Sequence, residues 1–152
     1  MSISNAEWEI MRVVWAKGKT TSNEILDILS QKTEWTSSTV KTLLRRLVDK
    51  GYLATEKVGK SFVYSALLTE SDSINVQADG LFAKFCQRKH VAILEHLLDQ
   101  TLMTEEDINK LQAQLLSKKE KAVEQVPCNC TPGQCNCQEH VHILEEASAN
   151  GN

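Results

Sequence analysis

The sequence predicts a mainly α-helical chain that carries one small β-hairpin and ends in a cluster of cysteines. Three observations lead there. Short segments of helical apolar period, each opened by a capping residue, fill residues 4–50. An alternating stretch with a glycine in its middle follows them. Beyond it come helical repeats of leucine and isoleucine, then Cys128-Asn129-Cys130-Thr131-Pro132-Gly133-Gln134-Cys135-Asn136-Cys137.

Ser4-x-x-Glu7 is a capping-box signature, with Ser4 set to cap a helix and Glu7 to reach back. Trp8, Met11 and Trp15 follow at helical spacing, Ile10 and Val14 widen the apolar face, and Gly18 stops the helix. Thr21-x-x-Glu24 opens a second helix with the stripe Ile25, Leu26, Ile28 and Leu29, ending near Gln31. The short, Gly-containing connection between the two is that of a helix-turn-helix. A third helix runs from about Ser37 to Lys50, where Gly51 ends it. At about 100° per residue, Val40, Leu43, Leu44 and Leu47 share one narrow face. The opposite side gathers Ser38, Thr42 and Arg45, flanked by Lys41 and Arg46, with Asp49 its one acid near the far end. Leu53–Lys57 and Ser61–Ala66 then read as two strands joined by the loop Val58-Gly59-Lys60, a hairpin with a basic tip that carries Lys57 and Lys60 and with Phe62, Tyr64 and Ala66 on one face. Three helices and such a hairpin make a winged helix-turn-helix.

The character changes at Thr69. Ser71 or Ser73 is placed to cap a helix carrying Leu81, Phe82 and Phe85 and then Ile93, Leu94, Leu97 and Leu98, weakened early by Gly80. Thr104-x-x-Asp107 opens another with Ile108, Leu111, Leu115 and Leu116. Two amphipathic helices bury little between themselves, so a second copy of the chain is the expected partner. The expected domains are 1–68, a winged helix; 69–122, helical dimerisation; and 123–152, a mobile tail bearing the cysteines.

Charge follows the same division. The chain of 152 residues has a net charge of −3, but residues 1–68 carry ten Lys+Arg against seven Asp+Glu, and the remainder seven against thirteen. A basic first half suits double-stranded DNA. The candidate contacts are Ser37, Ser38, Thr39, Lys41, Thr42, Arg45 and Arg46 on the third helix, and Lys57 and Lys60 on the wing. Arginine can pair bidentately with guanine edges, and hydroxyls at a helix start can donate to phosphates. No run of about 18 apolar residues would cross a membrane, and no basic-then-apolar leader opens the chain, which predicts a cytoplasmic protein. No nucleophile set or phosphate loop is evident, so no enzyme is expected.

In the reducing cytoplasm four thiols in so short a stretch read as metal ligands rather than disulfides. Pro132-Gly133 is a turn signal that folds one Cys-x-Cys over the other. Cys128, Cys130, Cys135 and Cys137 would close a tetrahedral Zn(II) site or hold a pair of Cu(I) ions, since thiolates favour soft cations. His140 and His142 are weaker candidates, since four sulfurs already close the site. Cys86, beside Phe82 and Phe85, reads as a small core residue and is left out.

Trp35-Thr36-Ser37-Ser38-Thr39-Val40-Lys41-Thr42-Leu43-Leu44-Arg45-Arg46-Leu47-Val48-Asp49-Lys50-Gly51, with Phe62-Val63-Tyr64 and Ile3-Ser4-Asn5-Ala6-Glu7-Trp8, resembles the BlaI/MecI family of winged-helix repressors over about residues 3–120. The two Cys-x-Cys pairs resemble the copper-responsive CopY branch. The resemblance implies a homodimeric repressor of a copper-homeostasis operon that holds Zn(II) on its pseudo-palindromic operator. It implies release when Cu(I), brought by a small copper chaperone, replaces the zinc. A metal-buffering or copper-storage protein, or a repressor with a purely structural zinc site, are the other readings.

Overall fold

The computed structural model describes residues 2–137, so His140 and His142 lie outside the described residues. The chain divides into two compact units, one up to Ala78 and one from Asp79.

The first unit opens with α1 (Asn5–Lys17), β1 (Lys19–Thr21), α2 (Ser22–Leu29) and α3 (Ser37–Asp49). Ser4, Thr21 and Thr36 cap the three helices, each side chain accepting from a backbone N–H three residues on. Of the capping box expected at Ser4 and Glu7 only the Ser4 half forms, and Glu7 is used elsewhere. Its carboxylate is buried and accepts from Lys50 Nζ at 2.8 and 3.0 Å, which ties α1 to the end of α3. Gly18, at φ +82°, turns the chain out of α1 in a conformation that disfavours side chains.

The wing is β2 (Leu53–Val58) and β3 (Ser61–Ala66), and β1 adds a third strand in the order β1-β3-β2, all antiparallel. Thr20 pairs with Tyr64 on one side of β3, and Thr55 pairs with Tyr64 on the other. The loop holds just Gly59 and Lys60, with positive φ at Gly59 alone, the II′ pattern that matches strand twist. Leu53 is buried, whereas Val58 and Phe62 at the tip are exposed. One apolar core gathers Ile10, Met11 and Val14 of α1, Ile25 and Leu29 of α2, and Val40, Leu43, Leu44 and Leu47 of α3. The last four are the face expected from the helical period. Trp15 packs at the edge of the core, meets Trp8 edge-on at 5.2 Å, and donates from its indole N–H to the Leu68 carbonyl.

Helix α4 (Glu70–Ala83) leads out of this unit, α5 (His90–Gln100) and α6 (Glu105–Lys118) follow, and short 3₁₀ turns cover Gln87–Lys89 and Lys119–Lys121. The single helix expected from about Ser71 to Leu98 is thus two. Its cap is Thr69, whose hydroxyl accepts from the Asp72 N–H, while Ser73 sits inside the helix and donates to the Thr69 carbonyl. The break falls at Lys84–Cys86. There the His90 ring stacks on Phe82 at 4.3 Å, and its Nε2 bonds the carbonyls of Phe82 and Phe85. The Phe82 carbonyl belongs to the last turn of α4 and the Phe85 carbonyl to the break itself, so a side chain takes the place of the helix's own continuation. Thr104 and Asp107 form the complete capping box expected for α6. Among the described residues no helix is long and apolar enough to cross a membrane.

Candidate metal centre and nucleic-acid face

The buried stripe of α3 sets what its other side presents. With Val40, Leu43, Leu44 and Leu47 in the core, Ser37, Ser38, Lys41, Arg45 and Arg46 are exposed, and Thr39 and Thr42 are partly so. Ser37, Ser38, Lys41, Thr42 and Arg45 line one open depression of about 530 Å³. Thr42 Oγ1 donates to the Ser38 carbonyl at 2.9 Å, which fixes its rotamer while leaving lone pairs outward. Thr39 Oγ1 lies 3.2 Å from Thr36 Oγ1 at the capped start of the helix. Lys57 and Lys60 are exposed on the wing.

In the second unit the Pro132-Gly133 turn forms as expected. Gly133 takes φ +97°, and the Gln134 N–H donates to the Thr131 carbonyl at 3.0 Å, a type II geometry. The turn folds the second Cys-x-Cys onto the first, placing Cys128 Sγ 3.3 Å from Cys135 Sγ. The hook thus closes within one chain. It closes around the buried sulfur of Cys86, a residue that reads from the sequence as packing. Cys86 Sγ lies 3.6 Å from Cys128 Sγ and 3.7 Å from Cys137 Sγ. The sulfurs of Cys86, Cys128, Cys135 and Cys137 all lie within 4.8 Å of one another. Cys130 stands outside that quartet, although its thiol interacts with those of Cys86, Cys128 and Cys135. Two further bonds fasten the root of the hook. Arg88 Nε donates to the Val126 carbonyl at 2.7 Å, and the Gln87 N–H donates to Asn129 Oδ1 at 3.3 Å.

The thiols differ in their hold on protons. The backbone N–H of Arg88, aided by neighbouring thiols, brings Cys86 down to about 7. The backbone N–H of Cys137 lowers Cys135. Desolvation, then the surrounding thiols, pushes Cys130 up to about 12. The Cys135 side chain, with desolvation, pushes Cys137 up to about 12. Negative charge is thus accepted by some sulfurs and refused by others, the situation a bound cation relieves. The donor set fits a soft metal. Zn–S bonds of about 2.3 Å in a tetrahedron put sulfurs roughly 3.8 Å apart, close to the separations found.

The penicillinase repressor family profile matches residues 3–117. The chain belongs to that family. It is therefore a DNA-binding transcriptional repressor of the BlaI/MecI kind and not an enzyme, with a cysteine cluster added at its C-terminal end. Its relatives include an uncharacterised 16.5 kDa protein from Latilactobacillus sakei, 41% identical, matched over 90% of this chain and 93% of that one. The penicillinase repressor of Bacillus licheniformis is 34% identical over 72% of this chain and 85% of its own length. A solved structure described as the CopR repressor is 48% identical over 45% of this chain and 99% of that one, with a TM-score of 0.40. The penicillinase repressor profile stops short of Cys128–Cys137 but includes Cys86, so the cluster joins a hook outside the family match to a residue inside it.

Proposed function

We propose that the chain is a copper-responsive repressor of the CopY type. It acts as a homodimer on a pseudo-palindromic operator, holds Zn(II) in its repressing form, and lets go when Cu(I) takes the site. The observation that carries this reading is a sulfur-only cluster, closed within the chain, on a member of a repressor family. Thiolates favour Cu(I) and Zn(II) over hard cations. Cys128, Cys130, Cys135 and Cys137 of the hook, together with Cys86, are the available donors, and a bound metal would supply charge neutralisation and a fixed hook. One Zn(II) or two Cu(I) leave four thiolates with the same net charge, so the two forms must differ in shape rather than in repulsion from DNA. Full reversal of occupancy requires about 5.5 kcal/mol of discrimination between the two protein states.

On DNA, the third helix enters the major groove. Lys41, Arg45 and Arg46 meet phosphates or guanine edges, Ser37, Ser38 and Thr39 donate near the helix start, and Thr42, whose proton goes to the Ser38 carbonyl, accepts from a base amino group. Lys57 and Lys60 of the wing lie along the backbone. The functional regions are residues 1–68 for DNA, 69–122 for dimerisation and 123–152 for metal. Exposed Val91, Leu94, Leu97 and Leu98 of α5, with Leu111, Leu115 and Leu116 of α6, supply an apolar surface for a second copy. Two-fold symmetry sets half-sites about one helical turn apart. A small copper chaperone is the natural donor of Cu(I), and the cytoplasm the natural site of action.

Gel-shift titration on the promoter of the chain's own gene tests the reading with metal-free, zinc-loaded and Cu(I)-loaded protein. Release by Cu(I) alone is expected. Binding that ignores copper would leave only a structural zinc site, and no binding in any form would leave a metal buffer.

A further inference from the structure

The geometry points to Cys86 as a metal ligand in its own right: with Cys128, Cys135 and Cys137 it completes a four-sulfur site, and Cys130 is the sulfur left over. This rests on the metal-sensing reading above and specifies which side chains carry it.

Three features place Cys86 in the site. Its sulfur is 3.6 and 3.7 Å from those of Cys128 and Cys137, about the edge of a thiolate tetrahedron, which is roughly 3.8 Å. The residue is 7% exposed and held at a defined point, between the last turn of α4 and the 3₁₀ turn Gln87–Lys89. The chain around both partners is fastened by Arg88 to Val126 and by Gln87 to Asn129, so the approach of the sulfurs has support beyond the sulfurs themselves. A tetrahedral ion has four positions, and the five cysteines therefore compete for them.

The choice of ligand changes what metal does to the protein. Four hook cysteines would organise only the hook, a segment of ten residues from Cys128 to Cys137. A site that includes Cys86 links segments 42 residues apart in sequence, which closes a long loop and fixes the hook to the junction of α4 and α5. Metal occupancy is then felt at the helix that leads from the first unit.

Cobalt(II), a spectroscopic stand-in for Zn(II), is titrated into the reduced full-length chain. Thiolate-to-cobalt charge-transfer absorbance counts the sulfurs, and chelator competition gives affinity. The unaltered chain should show a four-thiolate site. Cys86→Ser should lose about a quarter of the absorbance and bind at least ~10-fold more weakly. Cys130→Ser should keep both the spectrum and an affinity within about threefold, well short of a lost ligand. The inference is overturned if Cys130→Ser loses a thiolate while Cys86→Ser keeps four. A second measurement avoids substitution. Zinc-loaded, unaltered chain is alkylated and mapped by mass spectrometry; Cys130 should label first, and Cys86 only after chelation. Equal labelling of Cys86 with and without zinc would also overturn it. The copper reading fails separately. A chain that binds cobalt through Cys86 but ignores Cu(I) on its operator retains the ligand and loses the copper response. A chain with no thiolate-cobalt bands loses both.

Discussion

The two units are stabilised by different means. The first has a core of thirteen buried apolar residues drawn from all three helices, the wing and the N-terminal segment. In the second, Cys86 is the sole buried residue of that kind among the described residues, while the leucines of α5 and α6 are exposed. Apolar burial contributes about 25 cal/mol per Å² and dominates folding, so the first unit has what it needs within its own sequence. The second has its apolar surface turned outward and its sulfurs turned inward. A DNA-reading unit must present a rigid helix whatever the signal. On the proposed function the second unit senses metal, and a sensing unit must be incomplete, because a fold already complete has nothing for a signal to add.

The sharpest way to break this comparison is to damage the core. Leu44 of α3 is fully buried, so Leu44→Ala should cost about 3 kcal/mol in chemical denaturation and abolish operator binding with it. Hydrogen exchange in α5 and α6 should be little changed. If both regions lose protection together, the units are not independent. Next in size is the effect of metal. Zinc at a hundred times its dissociation constant should stabilise the second unit by about 2.7 kcal/mol. Exchange at peptides spanning 84–90 and 126–137 should slow accordingly, with peptides of α1–α3 unchanged. Equal slowing of α3 would mean that metal acts on the whole chain. Third, Leu97→Glu on the exposed face of α5 should leave the monomer's melting nearly unaltered. It should weaken self-association by about 2 kcal/mol, roughly thirtyfold, measured by sedimentation. Unchanged association would place the dimer surface elsewhere.

What could be read in advance divides along the same line. The buried stripe and polar face of α3 follow from one helical period, and the Pro132-Gly133 turn from the φ preferences of two residues; both are local. The third strand is not local. Lys19-Thr20-Thr21 is too short to show a period and becomes a strand only because β3, over forty residues later, offers an edge. The break between α4 and α5 is hidden too. Apolar spacing runs on through it, and what stops α4 is the His90 ring reaching two carbonyls, a side chain acting across a turn. The sulfurs around Cys86 are hidden for the same reason. A lone cysteine among phenylalanines reads as packing, and only the return of the chain from Val126 to Asn129 brings the other sulfurs to it. Its position just before Gln87-Arg88-Lys89, where the Arg88 backbone N–H favours a thiolate, is the one local signal available.

The smallest effect lies at the start of α6, where stability comes from local bonds rather than a core. Thr104→Ala removes a cap and should cost about 1 kcal/mol of helix stability. The charge of Asp107 can be separated from the cap itself. The backbone N–H of Thr104, and then its hydroxyl, hold the Asp107 carboxyl below its usual range. A carboxyl depressed in the folded state adds stability that is present above its unfolded value and is lost as pH falls through the folded one. Helicity of α6, followed by hydrogen exchange, should therefore weaken on the acid side, and Asp107→Asn should flatten that limb without altering exchange in α3. An acid limb of unchanged depth in Asp107→Asn would place the titrating group elsewhere. An equal response in α3 would mean that the two units do not melt as separately as their cores suggest.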